Sequence, residues 1–256
     1  MRKTAGNIQL MSVNDPLQKL ENNKHPSVSF DDYVDNYQQK IQESMDFIGV
    51  NADFFIQVKA EMVLELVKKY CGHLSSIRVL DIGSGIGLVD RSLAPAIKNL
   101  FGVDTEEGVV NRAKINNPGV HYQKYDGERL PFEDHSMDFV FAINVMHHVS
   151  PSLWQNFTNE MWRVLKSGGV AAIFEHNPMN PLTRRVVNRC EFDRDAVLLG
   201  HKKIQGLFLN SRLTPVEDAY ILFFPFRGGI FRGIERVLKW IPLGAQQYVV
   251  GRKYIK

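Results

Sequence analysis

One turn constrains this chain more than any other feature. The apolar run Arg78-Val79-Leu80-Asp81-Ile82 feeds directly into Gly83-Ser84-Gly85-Ile86-Gly87. A short apolar run ending in closely spaced glycines reads as a buried strand followed by a tight turn. Glycines there let the backbone approach a ligand at the carboxyl end of the strand. Dinucleotide sites use G-x-G-x-x-G, with a helix N-terminus aimed at a pyrophosphate. Here the spacing is G-x-G-x-G, and Leu88 stands where the third dinucleotide glycine would be. Asp81, beside the loop, would repel phosphate and suits a cationic ligand.

The flanking pattern supports an α/β sheet. Further strand-like runs are Asn99–Asp104, Val120–Tyr125, Met137–Asn144 and Val170–Glu175. Helical stretches at Gly87–Ala96, Glu106–Ile115 and Pro151–Leu165 separate them. Ser150 reads as an N-cap, with Pro151 at the first helical position. Alternating strands and helices imply a parallel sheet covered on both faces. Upstream, Tyr33, Tyr37, Ile41, Met45 and Ile48 share one face of a helix over Asp31–Gly49, and a second helix runs over Ala52–Tyr70. Lys59 within it could pair with a ligand carboxylate but reads first as a solvated lysine. Downstream come a helix over His201–Asn210 and strands over Glu217–Phe224 and Gln246–Lys253. Two insertions, Asn177–Gly200 and Pro225–Ala245, are expected on the rim where α/β folds bind ligands.

Composition and charge narrow the partners. With 256 residues, 44% of them apolar and 23% charged, the chain suits a soluble α/β domain with additions. Residues 1–25 read as a flexible leader, 26–75 as a helical cover and 76–256 as the main domain. A net charge of +3 is too small for a polyanion-binding molecule. Two cysteines, Cys71 and Cys190, make no disulfide framework and no zinc motif, so no metal is expected and a reducing cytoplasm is the simplest setting. The basic residues concentrate late. From Ala219 onward, seven basic residues face one acid, Glu235.

The loop and four later segments resemble the class I S-adenosylmethionine-dependent methyltransferases. Phe101-Gly102-Val103-Asp104 ends the second strand with an acid, 17 positions after Gly87. The resemblance gives Asp104, with Thr105 beside it, the two ribose hydroxyls. Tyr125-Asp126-Gly127 matches the segment whose Asp accepts from the adenine amino group. Asn144 and Val145-Met146-His147-His148 follow the fourth strand, near the methionine part of the cofactor. Trp162 to Gly169 matches the turn before the fifth strand. The family implies a Rossmann-like, doubly wound, mostly parallel seven-stranded sheet with its last strand antiparallel. It also implies S-adenosyl-L-methionine held by Asp81, Gly83, Ser84, Gly85, Asp104, Thr105, Asp126, Gly127 and Asn144, with Tyr37 covering it.

Past Phe174, the segment Glu175 to Arg185 looks like bacterial methyltransferases of polysaccharide and secondary-metabolite pathways. The expected reaction is methylation, at oxygen, of a small or carrier- or lipid-linked molecule. An O or N acceptor loses a proton, so a base is sought. His176 is the first candidate, then His148 and His147. Glu175, Arg184, Arg185 and Tyr33 are the candidate substrate contacts. Arg184, Arg185 and Arg189 could hold a phosphate or carboxylate of the substrate, or could simply pair within the segment Asp193-Arg194-Asp195, whose two acids suit them.

Phe231, Ile234, Val237, Leu238 and Ile241 fall on one helical face, with basic residues elsewhere on it. Segment 222–241 is therefore a lid or a peripheral contact with the inner membrane face. The two are compatible for a lipid-linked substrate. The expected chain is a monomer or homodimer. Nucleic acid is not an expected partner, because Asn144 is followed by Val-Met-His and not by Pro-Pro-aromatic. The competing readings are a cofactor-binding module without turnover and the same fold running a cyclisation.

Overall fold

The computed structural model describes residues 42–43, 52–190, 193, 195–224 and 229–254. Tyr33, Tyr37 and nearly all of the Asp31–Gly49 helix lie outside them, as do the side chains of Arg232 and Arg236.

Seven strands form one sheet: β1 (Arg78–Ile82), β2 (Asn99–Asp104), β3 (His121–Lys124), β4 (Met137–Ile143), β5 (Leu165–His176), β6 (Leu213–Ile221) and β7 (Gln246–Lys253). Their spatial order is β3-β2-β1-β4-β5-β7-β6. Strands β1 to β5 pair in parallel, whereas β7 runs antiparallel to both β5 and β6. The order reverses at β1, which lies between β2 and β4. Such a switch point opens a crevice at the carboxyl edge, where α/β sheets hold ligands.

The helices are α1 (Ala52–Cys71), α2 (Asp90–Leu93), α3 (Glu107–Asn116), α4 (Trp154–Val164), α5 (Pro181–Val187), α6 (His201–Asn210) and α7 (Gly229–Leu238). Alternation along each strand feeds two cores, one on each face of the sheet. Val79, Phe139, Phe141, Ala172 and Phe174 pack with Ala60, Val63 and Val67 of α1. Leu80, Val140, Ala142, Ala171 and Ile173 pack with Phe157 and Met161 of α4 and Ile204 and Phe208 of α6. Burial on both faces explains why β1, β4 and β5 read as near-continuous apolar runs.

Several boundaries differ from the sequence reading. Helix α2 is a single turn. Gly87, at φ 77°, cannot be helical, and Pro95 has no N–H with which to continue the helix. Helix α4 begins at Trp154. Before it, the Leu153 amide donates to the Ser150 carbonyl at 2.8 Å in a turn, and the Ser150 hydroxyl meets Ser152 at 2.9 Å instead of capping. Strand β5 starts at Leu165, because Leu165 pairs with Met137 across a register shift. Strand β6 starts four residues and ends three residues earlier than expected. Leu222, at φ 61°, ends it, and Pro215 is tolerated because β6 is an edge strand with a bulge there.

Candidate cofactor and acceptor site

The loop after β1 is fixed by β2. Gly83 and Ser84 both donate to the Val103 carbonyl, at 2.8 and 3.0 Å. Gly83 has φ 73°, and a Cβ there would sit 2.5 Å from Val145 Cγ2. Side-chain-free backbone is thus required where the loop passes the segment after β4. Gly85 differs: its φ is 53°, and a Cβ there would meet nothing within 4 Å. Its amide donates to Asp104 Oδ2 at 2.9 Å, while Asp104 Oδ1 accepts from Glu106 at 3.3 Å. The carboxylate at the end of β2 therefore stands beside the open face of the loop. Thr105 lies next to Gly127, whose φ is 82°. Asp126 is exposed, and its Oδ1 accepts from the Arg129 and Glu128 amides at 2.8 and 2.9 Å. These amides hold its carboxyl below the ordinary value.

Beneath the loop, Asp81 and Asp90 are both buried. Burial, then Asp90 and Asp104, push the Asp81 carboxyl well up, against the pull of Lys59. Burial likewise lifts Asp90 to about 7, although Tyr122 donates to its Oδ2 at 2.7 Å. Lys59 corrects the sequence reading. It is 8% exposed, and burial lowers its ammonium to about 8 despite Glu175, Asp193 and Asp81 nearby. Lys59, Val63 and Leu66 share the buried face of α1 at helical spacing, a signal available in the sequence.

Asn144, just past β4, has φ 57°, uncommon for a residue with a side chain. Its amide donates to the Phe174 carbonyl at 2.9 Å, and its buried Oδ1 has no partner among the described residues. A buried acceptor without a donor is costly unless a ligand supplies one. An open glycine face, the Asp104 and Asp126 carboxylates and an unpaired Asn144 oxygen together fit S-adenosylmethionine. It brings hydroxyl and amino donors and a cationic sulfur.

Beside this lies a cluster that the rim insertion completes. Glu175, at the end of β5, is fully buried. Its Oε1 accepts from Met146 at 2.8 Å and Val145 at 3.2 Å, and its Oε2 lies 2.6 Å from His147 Nδ1. His147 Nε2 lies 3.3 Å from Asp193 Oδ1, and so does His148 Nε2. Burial alone would lower the His147 pKa. Glu175 and Asp193 outweigh it and raise the value to about 10. Burial and the His147 cation hold His148 and His176 at about 4. Burial would raise Asp193, but the three histidines bring it to about 2. The His176 ring packs 5.1 Å from that of His147, and neither of its nitrogens forms a hydrogen bond among the described residues.

The predicted residues thus fall in different places. His147 is 1% exposed, with Nδ1 against Glu175 and Nε2 facing Asp193. Glu175 is committed to orienting it and does not face solvent. Asp193 pairs with the histidines, not with the arginines. Arg184 and Arg185 lie exposed on α5, which Asn180 caps by accepting from Leu182 and Thr183. The two insertions meet. Asn177 Nδ2 donates to Gly244 at 2.8 Å, and Asn180 Nδ2 to Leu243 at 2.6 Å.

Comparisons with known proteins agree with this layout. Residues 80–173 match a methyltransferase domain family. An uncharacterized methyltransferase of Synechocystis is 34% identical over 104 residues, covering 40% of this chain and 49% of that protein. The ubiquinone/menaquinone biosynthesis C-methyltransferase of Ectopseudomonas mendocina is 26% identical, covering 70% and 75%. The chain spans half or less of the length of the first curated relatives it matches. Among solved structures, a possible histamine N-methyltransferase from Thermotoga maritima has a TM-score of 0.61 at 21% identity. It covers 88% of this chain and 98% of that one, a likeness of fold. This sheet order, the loop after β1 and the match over residues 80–173 show that the chain carries a methyltransferase domain, similar to the class I S-adenosylmethionine-dependent methyltransferases.

Proposed function

We propose that the protein methylates a lipid- or carrier-linked small molecule at oxygen. One observation carries the acceptor class. The joined rim insertions present apolar side chains outward: Val237 is 69% exposed and Trp240 74%, with Met179, Leu182 and Leu243 also exposed. Isolated exposed apolar residues mean little, but several on one basic rim favour an apolar or membrane-borne partner. Among the described residues no helix is long and apolar enough to cross a membrane, so contact would be peripheral. The resemblance to polysaccharide and secondary-metabolite enzymes agrees with a carrier-linked acceptor. A second reading, methylation at carbon, has support from the similarity to the quinone-pathway enzyme over 70% of this chain.

When bound, S-adenosylmethionine supplies an electrophilic methyl group. The chain's part is largely positioning. Asp104 and Asp126 would hold the nucleoside, and Gly83, Ser84 and Gly85 would line it. Asn144, and Asp81 below the loop, would hold the amino-acid end. His176 is the base of choice, because its ring nitrogens are not committed to other groups. Arg184 and Arg185 would meet an anionic part of the acceptor, and the acceptor is not a nucleic acid. The protein would act as a monomer or homodimer.

The test is transfer of labelled methyl from S-adenosylmethionine into a bacterial lipid extract compared with soluble sugars. Label should enter the organic phase, with a product mass gain of about 14 Da and turnover reduced about 100-fold or more in His176→Ala. Label entering only the sugars overturns the acceptor class. Cofactor loss without product mass gain favours the cyclisation reading. Sedimentation with anionic vesicles, weakened in Trp240→Glu, tests the membrane contact separately.

A further inference from the structure

The cluster around His147 does more than pin an insertion. We propose that His147 Nε2, His148 Nε2 and Asp193 Oδ1 form a binding site for a divalent transition-metal ion of the zinc class. One ligand atom from each of the three residues lies within 4.8 Å of the others. Both nitrogens stand 3.3 Å from the same carboxylate oxygen. That separation is long for charge-assisted hydrogen bonds, which run about 2.7–2.9 Å. It matches the spacing of neighbouring ligands around a tetrahedral ion, about 3.3–3.4 Å for bonds near 2.0–2.1 Å.

The supporting partner is also present. Metal-bound histidines commonly donate the other ring N–H to a carboxylate, which fixes the tautomer and turns the free nitrogen toward the ion. Glu175 Oε2 at 2.6 Å from His147 Nδ1 provides this contact. Glu175 is itself held by the Met146 and Val145 amides. Asp193 is placed by the backbone. Its amide donates to Cys190 at 3.2 Å, and Val197 donates to the His147 carbonyl at 2.9 Å. Two imidazoles and one carboxylate suit zinc, and also iron(II), cobalt(II) or nickel(II), better than magnesium or calcium.

Three protein ligands leave a fourth position, which in zinc enzymes takes water or substrate. Access lies on the side of His148, whose side chain is 28% exposed, against 1% for His147. The ion would clip the first rim insertion to the carboxyl ends of β4 and β5. The site does not depend on the acceptor reading above.

The experiment uses the full chain, stripped with EDTA and titrated with zinc by calorimetry, with metal counted by elemental analysis after gel filtration. One ion per chain should bind. His148→Ala and Asp193→Ala should lose more affinity than Glu175→Gln, for which about 10–100-fold is expected. His73→Ala, at an exposed histidine away from the cluster, should bind as wild type does. Cobalt loading should give the visible absorption of a four-coordinate ion. His148→Gln replaces any variant whose circular dichroism departs from wild type. Less than a tenth of an equivalent bound, or equal affinity in the His148 and Asp193 variants, overturns the site.

Discussion

Glu175 Oε2 lies 2.6 Å from His147 Nδ1, with both side chains removed from solvent. This contact joins the end of β5 to the turn after β4, and both backbone amides of that turn bond the same carboxylate. Removing one partner from a buried charge pair leaves the other uncompensated. Glu175→Gln should lower metal-free stability in urea by about 3–5 kcal/mol. A loss below about 1 kcal/mol, as for an exposed pair, would contradict the assignment.

Two glycines of one loop should respond differently. Gly83→Ala meets Val145 at 2.5 Å in a left-handed conformation, so both folding and cofactor binding should suffer. Gly85→Ala finds open space, so its folding cost should be confined to backbone strain, about 1–2 kcal/mol. Its affinity for S-adenosylhomocysteine should nevertheless fall, because the new methyl fills the face reserved for the ligand. Equal stability losses with unchanged affinity in Gly85→Ala would count against the open face as the cofactor surface.

Asp90 ties stability to pH. Burial raises its carboxyl from 3.8 to about 7 in the folded protein, so the folded state holds the proton more tightly than the unfolded chain. The resulting stabilisation is full below about pH 4 and is lost as pH rises through about 7. Asp81, also raised, acts in the same direction. His148 and His176, held at about 4, act in the opposite direction in both proteins, so the Asp90 contribution is read as the urea stability of cofactor-free wild type relative to Asp90→Asn, which should decline from pH 4 to 8. An identical pH dependence in wild type and variant would remove the Asp90 contribution.

The features legible in the sequence were those built from neighbours along the chain. The loop, Asp104 at the end of β2, and strands β1, β2 and β7 follow from local pattern and spacing. The acceptor side was harder, because insertions assemble it. Asp193 reaches His147 across 46 positions, and no periodicity connects them. Lys59 is hard to read for another reason: its charge argues for solvent, whereas its place on the apolar stripe of α1 buries it. The bounds of edge strand β6 are set by pairing with β7 and by the left-handed Leu222, not by its own alternation.

Calorimetric binding of S-adenosylhomocysteine to wild type and Asp104→Ala tests the central claim most directly. The predicted result is one site per chain in wild type. Losing a charge-assisted contact to the ribose should weaken binding about 10–100-fold in the variant. No binding to wild type, or equal affinity in the two proteins, would contradict a cofactor site built on the loop from Asp81 to Gly87.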